Sequence, residues 1–294
     1  MPTSTSRRLF VFGLGYSATA FARACLARGW RVAGTVREEA HRDALARLGI
    51  AVERFDGDRP LADFAASLAG ATHILVSVPP DAAGDPVLGH HGREFAALAG
   101  VEWLGYLSTT GVYGDRAGGE VDERAALLPT SERATRRVEA ERGWLALQRT
   151  HGLPVHIFRL AGIYGPGRSA LDAVRAGTAK RIDVPGQAFS RIHVDDIAAV
   201  LEASCARPEP GAIYNVCDDD PAPAADVVAY ACKLLGVEPP PLTPLEAAGL
   251  SPMGLSFYRD NKRVSNAHMK RALGIVLRYP NYRAGLEAIF AAGG

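Results

Sequence analysis

The 294-residue sequence has few cysteines, almost no net charge and no long uncharged apolar segment. Its four cysteines are far apart and form no Cys-x-x-Cys pair, so neither a disulfide framework nor a zinc site is predicted. The adjacent His90 and His91 have no carboxylate or cysteine at ligand spacing, so no metal is predicted there. No uncharged stretch reaches the roughly 20 apolar residues that a membrane span needs. These absences favour a cytoplasmic chain that acts away from the membrane.

The charged residues nearly balance, with 33 lysines and arginines against 32 aspartates and glutamates, a formal net charge of +1. Without a basic surface field, neither nucleic acid nor an anionic membrane is expected as a partner. The basic residues are almost all arginine, and the first lysine is Lys180. Any site in the first half of the chain therefore has to work without an ammonium group.

Short apolar runs alternate with segments of helical periodicity along the first half of the chain. Such runs are typical of strands buried on both faces, and the periodic segments of helices that cover a sheet. The predicted strands are 9–12, 32–36, 51–55, 73–78, 103–107 and 155–160. The first predicted helix follows Gly15 and ends at Gly29, and further helices are predicted over 61–68, in the region around 95–98 and over 131–151. Repeated β–α units predict an α/β fold with a doubly wound parallel sheet.

Prolines interrupt the chain after Tyr164, and its regularity decreases. A helix is predicted over 197–205, with Asp195 and Asp196 at its start, and a strand over 212–216 that returns to the sheet. Further helices are predicted over 227–235, 267–273 and 286–291. The second half is therefore expected to form a smaller lobe beside the sheet.

A Gly13-x-Gly15-x-x-Ala18 sequence connects the first predicted strand to the first predicted helix. The first glycine permits a tight turn, the second allows a ligand close to the backbone, and the small third residue packs helix against strand. The amides of the loop and the helix dipole would then face the diphosphate of a dinucleotide. The alternative role of this sequence is a tight turn with a purely structural function. The predicted cofactor-binding residues of this loop are Gly13, Leu14, Gly15, Tyr16, Ser17 and Ala18.

Arg37 is the first charged residue at the end of the second predicted strand, a position that distinguishes the two nicotinamide cofactors. An acidic residue here would bond the ribose 2′-hydroxyl of NAD, whereas an arginine would pair with the 2′-phosphate of NADP. We therefore predict NADP, with NAD as the alternative cofactor and a solvated surface charge as the alternative role for Arg37. Asp56, after the third strand, is predicted to reach the adenine amino group. Its alternative role is to form the turn Asp56-Gly57-Asp58.

Four further segments follow in order: Leu107-Ser-Thr-Thr-Gly-Val-Tyr-Gly114, Arg159-Leu-Ala-Gly-Ile-Tyr-Gly-Pro-Gly-Arg168, Ile192-His-Val-Asp-Asp196 and Tyr214-Asn-Val216. With the glycine loop, they make roughly the first three quarters of the chain resemble the extended short-chain dehydrogenase/reductase family of sugar-nucleotide epimerases and dehydratases. The loop and the tail Lys262-Arg-Val-Ser-Asn266 are most similar to an atypical, epimerase-like subgroup.

The resemblance implies a Rossmann sheet with a smaller C-terminal substrate lobe, a small-molecule substrate and a nicotinamide cofactor. We expect a dinucleotide-binding domain over 1–164, to which 192–217 returns, and a substrate lobe over 165–191 and 218–294. Family members often dimerise through helices beside the active site, which here would include Ser131–His151. For an anionic substrate, Arg168, Lys180 and Arg181 are candidates.

The family's catalytic group combines a serine or threonine after the fifth strand with Tyr-x-x-x-Lys on the next helix. In this sequence the hydroxyl position is Thr109, the tyrosine position is Arg133 and the lysine position is Arg137. The resemblance implies that Thr109 bonds the substrate and that Arg137 holds the ribose. Arg133 cannot replace the tyrosine, because a guanidinium has no acceptor. Its alternative role is part of a solvated helix face paired with Glu139 and Glu141.

A relocated proton donor is therefore required if the chain is an enzyme. Tyr113 is the predicted candidate, with Tyr164 and His193 behind it; each has an alternative role in packing. A literal Tyr258-x-x-x-Lys262 occurs in the tail, far from the expected helix. Two functions stay open: an NADP-dependent oxidoreductase or epimerase-like enzyme that lacks the usual dyad, and a non-catalytic NADP-binding sensor or regulatory protein.

Overall fold

The computed structural model describes residues 7–293, so positions 1–6 and 294 of the predicted domains lie outside the described residues. These residues form two compact units. The first comprises the described chain up to Thr109 together with Glu132–Arg159 and Ile197–Tyr214. The second comprises Thr110–Ser131, Leu160–Asp196 and the described chain from Asn215 onward.

A seven-stranded sheet organises the first unit. Its strands are β1 (Arg8–Phe12), β2 (Arg31–Val36), β3 (Ala51–Arg54), β4 (His73–Val76), β5 (Trp103–Thr109), β7 (Val155–Leu160) and β11 (Ile213–Val216). Their order across the sheet is β11-β7-β5-β4-β1-β2-β3. β1 pairs in parallel with β2 and β4, β2 with β3, and β4 with β5. β1, β4 and β7 are buried along nearly their whole length, as their continuous apolar runs predict. The α/β, doubly wound parallel architecture is therefore confirmed.

Helices α1 (Tyr16–Ala27), α2 (Arg42–Ala46), α3 (Phe64–Leu68), α4 (Pro86–Ala96) and α5 (Glu132–His151) connect these strands, and α7 (Val194–Ala206) precedes β11. The helix predicted in the region around 95–98 is α4, which begins earlier, at Pro86, and ends at Ala96. Asp85 caps α4 by accepting the N–H groups of Val87 and Leu88. The predicted helix over 61–68 begins only at Phe64, where Asp63 accepts the N–H of Ala66.

The second unit contains three short parallel strand pairs. β8 (Gly162–Tyr164) pairs with β10 (Arg191–His193), β9 (Arg181–Asp183) with β12 (Leu242–Pro244), and β6 (Glu120–Val121) with β13 (Arg263–Val264). Its helices are α6 (Ala170–Arg175), α8 (Ala224–Leu235), α9 (Pro252–Phe257), α10 (Ala267–Leu273) and α11 (Tyr282–Ala291). A core around Leu171, Ala231 and Leu286 joins α6, α8 and α11.

The units divide differently from the boundaries expected from the sequence. Residues 110–131, expected in the dinucleotide-binding domain, pack in the second unit. The reason lies in β6, which pairs with β13, and in Arg116 and Gly118, whose N–H groups donate to the carbonyl of Asn261. Within residues 7–293, no helix is long and apolar enough to cross a membrane.

Candidate functional site

The loop between β1 and α1 has the geometry of an anion-binding turn. Gly13 has a φ of +87°, and a Cβ atom there would lie 3.0 Å from Cγ2 of Val78, so no larger residue fits. Gly15 is the extended residue before α1, and no heavy atom outside its chain neighbours lies within 4 Å of where its Cβ would be. No side chain caps α1, and Ala18 is fully buried. The start of a 12-residue helix is thus open to an anion.

Thr35 fixes this loop to the end of β2. The N–H of Gly13 donates to Oγ1 of Thr35 over 2.9 Å, and the N–H of Leu14 donates to its carbonyl over 2.8 Å. Thr35 is fully buried. Its threonine hydroxyl orients the turn, a role that sequence reasoning missed because the two bonded residues are 22 positions apart.

Arg37 follows β2 directly, with an exposed side chain. Among the described residues, no hydrogen bond or ion pair engages its guanidinium. The neighbouring Glu39 lies 3.6 Å from Arg42 instead. An exposed arginine beside this strand end is suited to a phosphate, and its pairing with a 2′-phosphate stays a prediction.

Asp56 forms the turn that was its alternative role. Its Oδ1 accepts the N–H of Asp58 over 3.1 Å, and its Oδ2 lies 3.2 Å from Nη2 of Arg54. The hydrogen bond from Asp58 is the main reason that the pKa of Asp56 is lowered. A contact with adenine stays a prediction, since one carboxylate oxygen can accept more than one hydrogen bond.

The end of β5 and the start of α5 hold the residues that the resemblance makes catalytic. Thr109 is the last residue of β5 and is half-buried. Arg137 donates from Nη1 to the carbonyl of Leu107 over 2.7 Å and to the hydroxyl of Tyr106 over 2.9 Å. The guanidinium is thereby fixed against the end of β5, whereas Arg133 is exposed on α5. The structure brings Arg137 to the strand that Thr109 ends, and their roles stay predictions.

A buried charge network lies beneath these residues. Glu141 of α5 and Arg159 of β7 are each 2% exposed, and Nη2 of Arg159 lies 2.7 Å from Oε2 of Glu141. The hydroxyl of Ser108 donates to the same carboxylate. The alternative role, in which Glu141 would pair with Arg133 on a solvated helix face, is therefore wrong for Glu141. Long-range pairing of α5 with β5 and β7 accounts for the buried position.

Tyr113 lies in the interior of the second unit and is fully buried. Its hydroxyl donates to Oδ1 of Asn215 over 2.6 Å. To transfer a proton to a substrate, this hydroxyl would have to leave Asn215. Proton transfer by Tyr113 stays a prediction, while its packing role is directly visible.

The other proposed proton donors also have structural partners. Tyr164 packs edge-on against His193, with ring centroids 5.2 Å apart, and burial raises its pKa. Nδ1 of His193 accepts the N–H of Asp195. Tyr258 packs against Phe189, whereas Lys262 donates to the carbonyl of Gly114 and pairs with Asp260 at 3.3 Å. The literal Tyr-x-x-x-Lys sequence therefore has separate local roles.

Metal-binding geometry is absent from residues 7–293, where no group of three or more potential ligands comes together. His90 bonds the carbonyl of Gly57, and His91 accepts the N–H of Leu61. Both histidines thus have structural partners.

Residues 93–217 match the model of the NAD dependent epimerase/dehydratase family. The chain is 29% identical to protein YeeZ of Escherichia coli (strain K12), over 94% of this chain and 97% of that relative.

Solved structures extend the similarity over nearly the whole chain. A functionally unknown conserved protein from Silicibacter pomeroyi DSS is 49% identical, with a TM-score of 0.90 over 97% of this chain and 99% of the other. A dTDP-glucose 4,6-dehydratase from Bacillus anthracis str. Ames, 16% identical with a TM-score of 0.77, covers 97% of both chains and shares the fold. The motifs, the sheet and the family model agree: residues 93–217 form a segment of the NAD dependent epimerase/dehydratase type, and the chain has the fold of the solved dehydratase.

Proposed function

We propose that this chain is an NADP-dependent oxidoreductase or epimerase-like enzyme that acts on a small molecule. The observation that carries the proposal is the open start of α1, where Gly15 leaves room for a diphosphate and no side chain occupies the cap. Helix starts of this kind bind phosphate groups through backbone amides and the helix dipole. The family supports a nicotinamide dinucleotide, and relatives of the same fold are solved with NAD.

The preference for NADP over NAD rests on Arg37. Its exposed guanidinium stands at the end of β2, where a carboxylate would instead favour the 2′-hydroxyl of NAD. Planar guanidinium groups bind phosphate through paired N–H donors. NAD remains the alternative cofactor if this charge stays solvated.

Thr109 and Arg137 are the residues that we assign to the reacting end of the cofactor. The nicotinamide would accept or donate the hydride when bound. Thr109, at the end of β5, would donate its hydroxyl proton in a hydrogen bond to the substrate oxygen. Arg137 is fixed through one terminal nitrogen to β5, so its remaining N–H groups could bond the ribose. Tyr113 is retained as the proton-transfer candidate, dependent on release of its bond to Asn215.

A second candidate function is a non-catalytic sensor of NADP. Arg133 favours the sensor, because it stands where the family has its catalytic tyrosine and its guanidinium cannot accept a proton. The retained substrate-lobe motifs and the long C-terminal tail favour the enzyme.

Calorimetric titration with NADPH and NADH, followed by turnover assays on a panel of carbonyl and hydroxyl substrates, tests both functions. The enzyme predicts tighter binding of NADPH and oxidation or reduction of at least one substrate. NADPH binding without turnover on the panel would support the sensor. Failure to bind either dinucleotide would refute both.

We also propose that the protein acts in the cytoplasm and forms a homodimer. All four cysteines are buried free thiols, as expected in the reducing cytoplasm. A homodimer through α5 is proposed from the family resemblance alone, and the mass of the purified protein in solution tests it.

A further inference from the structure

The second unit contains a cavity of about 400 Å³ lined by α6, α8 and α11. Its walls include the apolar side chains of Val227, Val228 and Leu286 and the rings of Tyr164 and Tyr282. Small-molecule sites are of this size and combine apolar walls with a few polar groups. The cavity has room for a ring or a short aliphatic body.

Arg191 is the polar group of the cavity that lacks a counter-ion. Its Nη1 donates to the carbonyls of Phe189 and Ala222 over 2.7 and 2.8 Å, which fixes the guanidinium in place. Within residues 7–293, no carboxylate lies at ion-pair distance from it, and neither Nε nor Nη2 has an acceptor. Burial lowers the pKa of Arg191, an effect that Asp218 partly opposes. Arg191 is half-buried, and because Nη1 is already fixed by the two carbonyls, the three N–H groups of Nε and Nη2 are held in place and available to an anion in the cavity.

The remaining charges of the cavity leave it positive. Arg168 lines the same space as a second guanidinium. Asp172 is the one carboxylate among the described lining residues, and its Oδ2 already accepts the N–H and the hydroxyl of Ser169 over 2.7 and 2.6 Å. The acid is thus used in the cap of α6 and does not neutralise Arg191.

We propose that this cavity binds a small organic oxyanion, a carboxylate or a phosphate ester on an apolar body, with Arg191 as its counter-ion. The oxygens would accept from Nε and Nη2 of Arg191, with Arg168 adding attraction. The apolar body would lie against Val228 and Leu286. This site does not depend on the dinucleotide site, because all of its residues lie in the second unit.

Calorimetric titration of the full chain without dinucleotide tests the proposal, with benzoate, phenyl phosphate and neutral benzyl alcohol as probes. We expect at least one anion to bind at least tenfold more tightly than benzyl alcohol, and its identity separates carboxylate from phosphate. Arg191→Gln should weaken that binding by at least tenfold. Arg175→Gln, which removes an exposed charge from the end of α6, one of the helices that line the cavity, should not change it.

Val228→Trp provides an independent test, since it fills the cavity and leaves Arg191 in place. It should abolish binding of the anion, and circular dichroism should show a folded chain. Equal binding of benzyl alcohol, or unchanged anion binding in either Arg191→Gln or Val228→Trp, would overturn the proposal. If Arg191→Gln does not fold, Val228→Trp alone decides. The dinucleotide titration is a separate measurement, so failure of one proposal leaves the other standing.

Discussion

Arg37 is a residue whose exposed position makes cofactor choice testable by one substitution. If it binds the 2′-phosphate, Arg37→Ser should weaken NADPH binding by about tenfold and leave NADH binding unchanged, because only NADPH loses a charge-assisted hydrogen bond. Calorimetry of both cofactors measures the change. Arg42→Ser is the matched control, since it removes a nearby exposed arginine that faces Glu39. An equal loss of binding affinity for NADPH and NADH would show that Arg37 does not bind the 2′-phosphate.

The proposed role of Thr109 can be tested with two substitutions, one that removes only the hydroxyl group and one that keeps it. Thr109→Val keeps the branched side chain and removes the hydrogen-bonding group, so kcat should fall by about a hundredfold once a substrate is known. Thr109→Ser keeps the hydroxyl and should retain most of the activity. A Thr109→Val enzyme with unchanged kcat would remove this residue from the mechanism.

The residues of the glycine loop could be predicted because their pattern is local. Gly13 and Gly15 lie within one turn of chain, and each meets its own requirement. Gly13 needs a positive φ, and Gly15 needs free space beside its backbone for a ligand. Tyr106 could not be predicted as the partner of Arg137, because 31 residues separate them. Contacts of this length are set by packing of the whole unit, which no local pattern encodes.

Helix α5 is held to the sheet by the buried pair of Glu141 and Arg159. Removing one partner leaves an uncompensated buried charge, so Glu141→Leu or Arg159→Met should each lower the free energy of unfolding by about 3–5 kcal/mol. The double variant should recover part of that loss, because neither charge then remains buried. Denaturant unfolding measures all three.

An exposed pair on the same helix serves as the control for this cycle. Glu132, 91% exposed, lies 3.1 Å from Arg136. Glu132→Gln should change the free energy of unfolding by less than about 1 kcal/mol. Strictly additive losses in the Glu141 and Arg159 double variant would contradict a coupled pair.

Long buried elements could be predicted from the sequence, and short ones could not. β1 and β7 have continuous apolar runs, and both appear close to the predicted positions. β6 and β13 have two residues each and exist only because they pair with one another. Neither segment has a periodicity of its own, so the sequence gives no signal for the pairing that moves residues 110–131 into the second unit.

Two kinds of buried titratable group act on the stability of the whole molecule in opposite directions. Burial lowers the pKa of His73 and His156 to about 4. His156 must be neutral, since its Nε2 accepts the N–H of Glu209 over 2.9 Å. Burial raises the pKa of Asp218 to about 8, and its Oδ2 has no hydrogen-bond partner among the described atoms.

These shifts predict a maximum of stability near pH 6.5. Between about pH 4 and 6.5 the unfolded chain binds the extra histidine protons, so stability falls as the pH decreases. Between about pH 4 and 8 the folded chain keeps the Asp218 proton, so stability falls as the pH rises. Asp218→Asn should therefore raise the melting temperature at pH 8 and flatten its decline above pH 6.5, as followed by circular dichroism. Asp183→Asn, an exposed acid at the end of β9, should keep the original profile. A decline that persists unchanged in Asp218→Asn would show that this carboxyl ionises without cost in the folded protein.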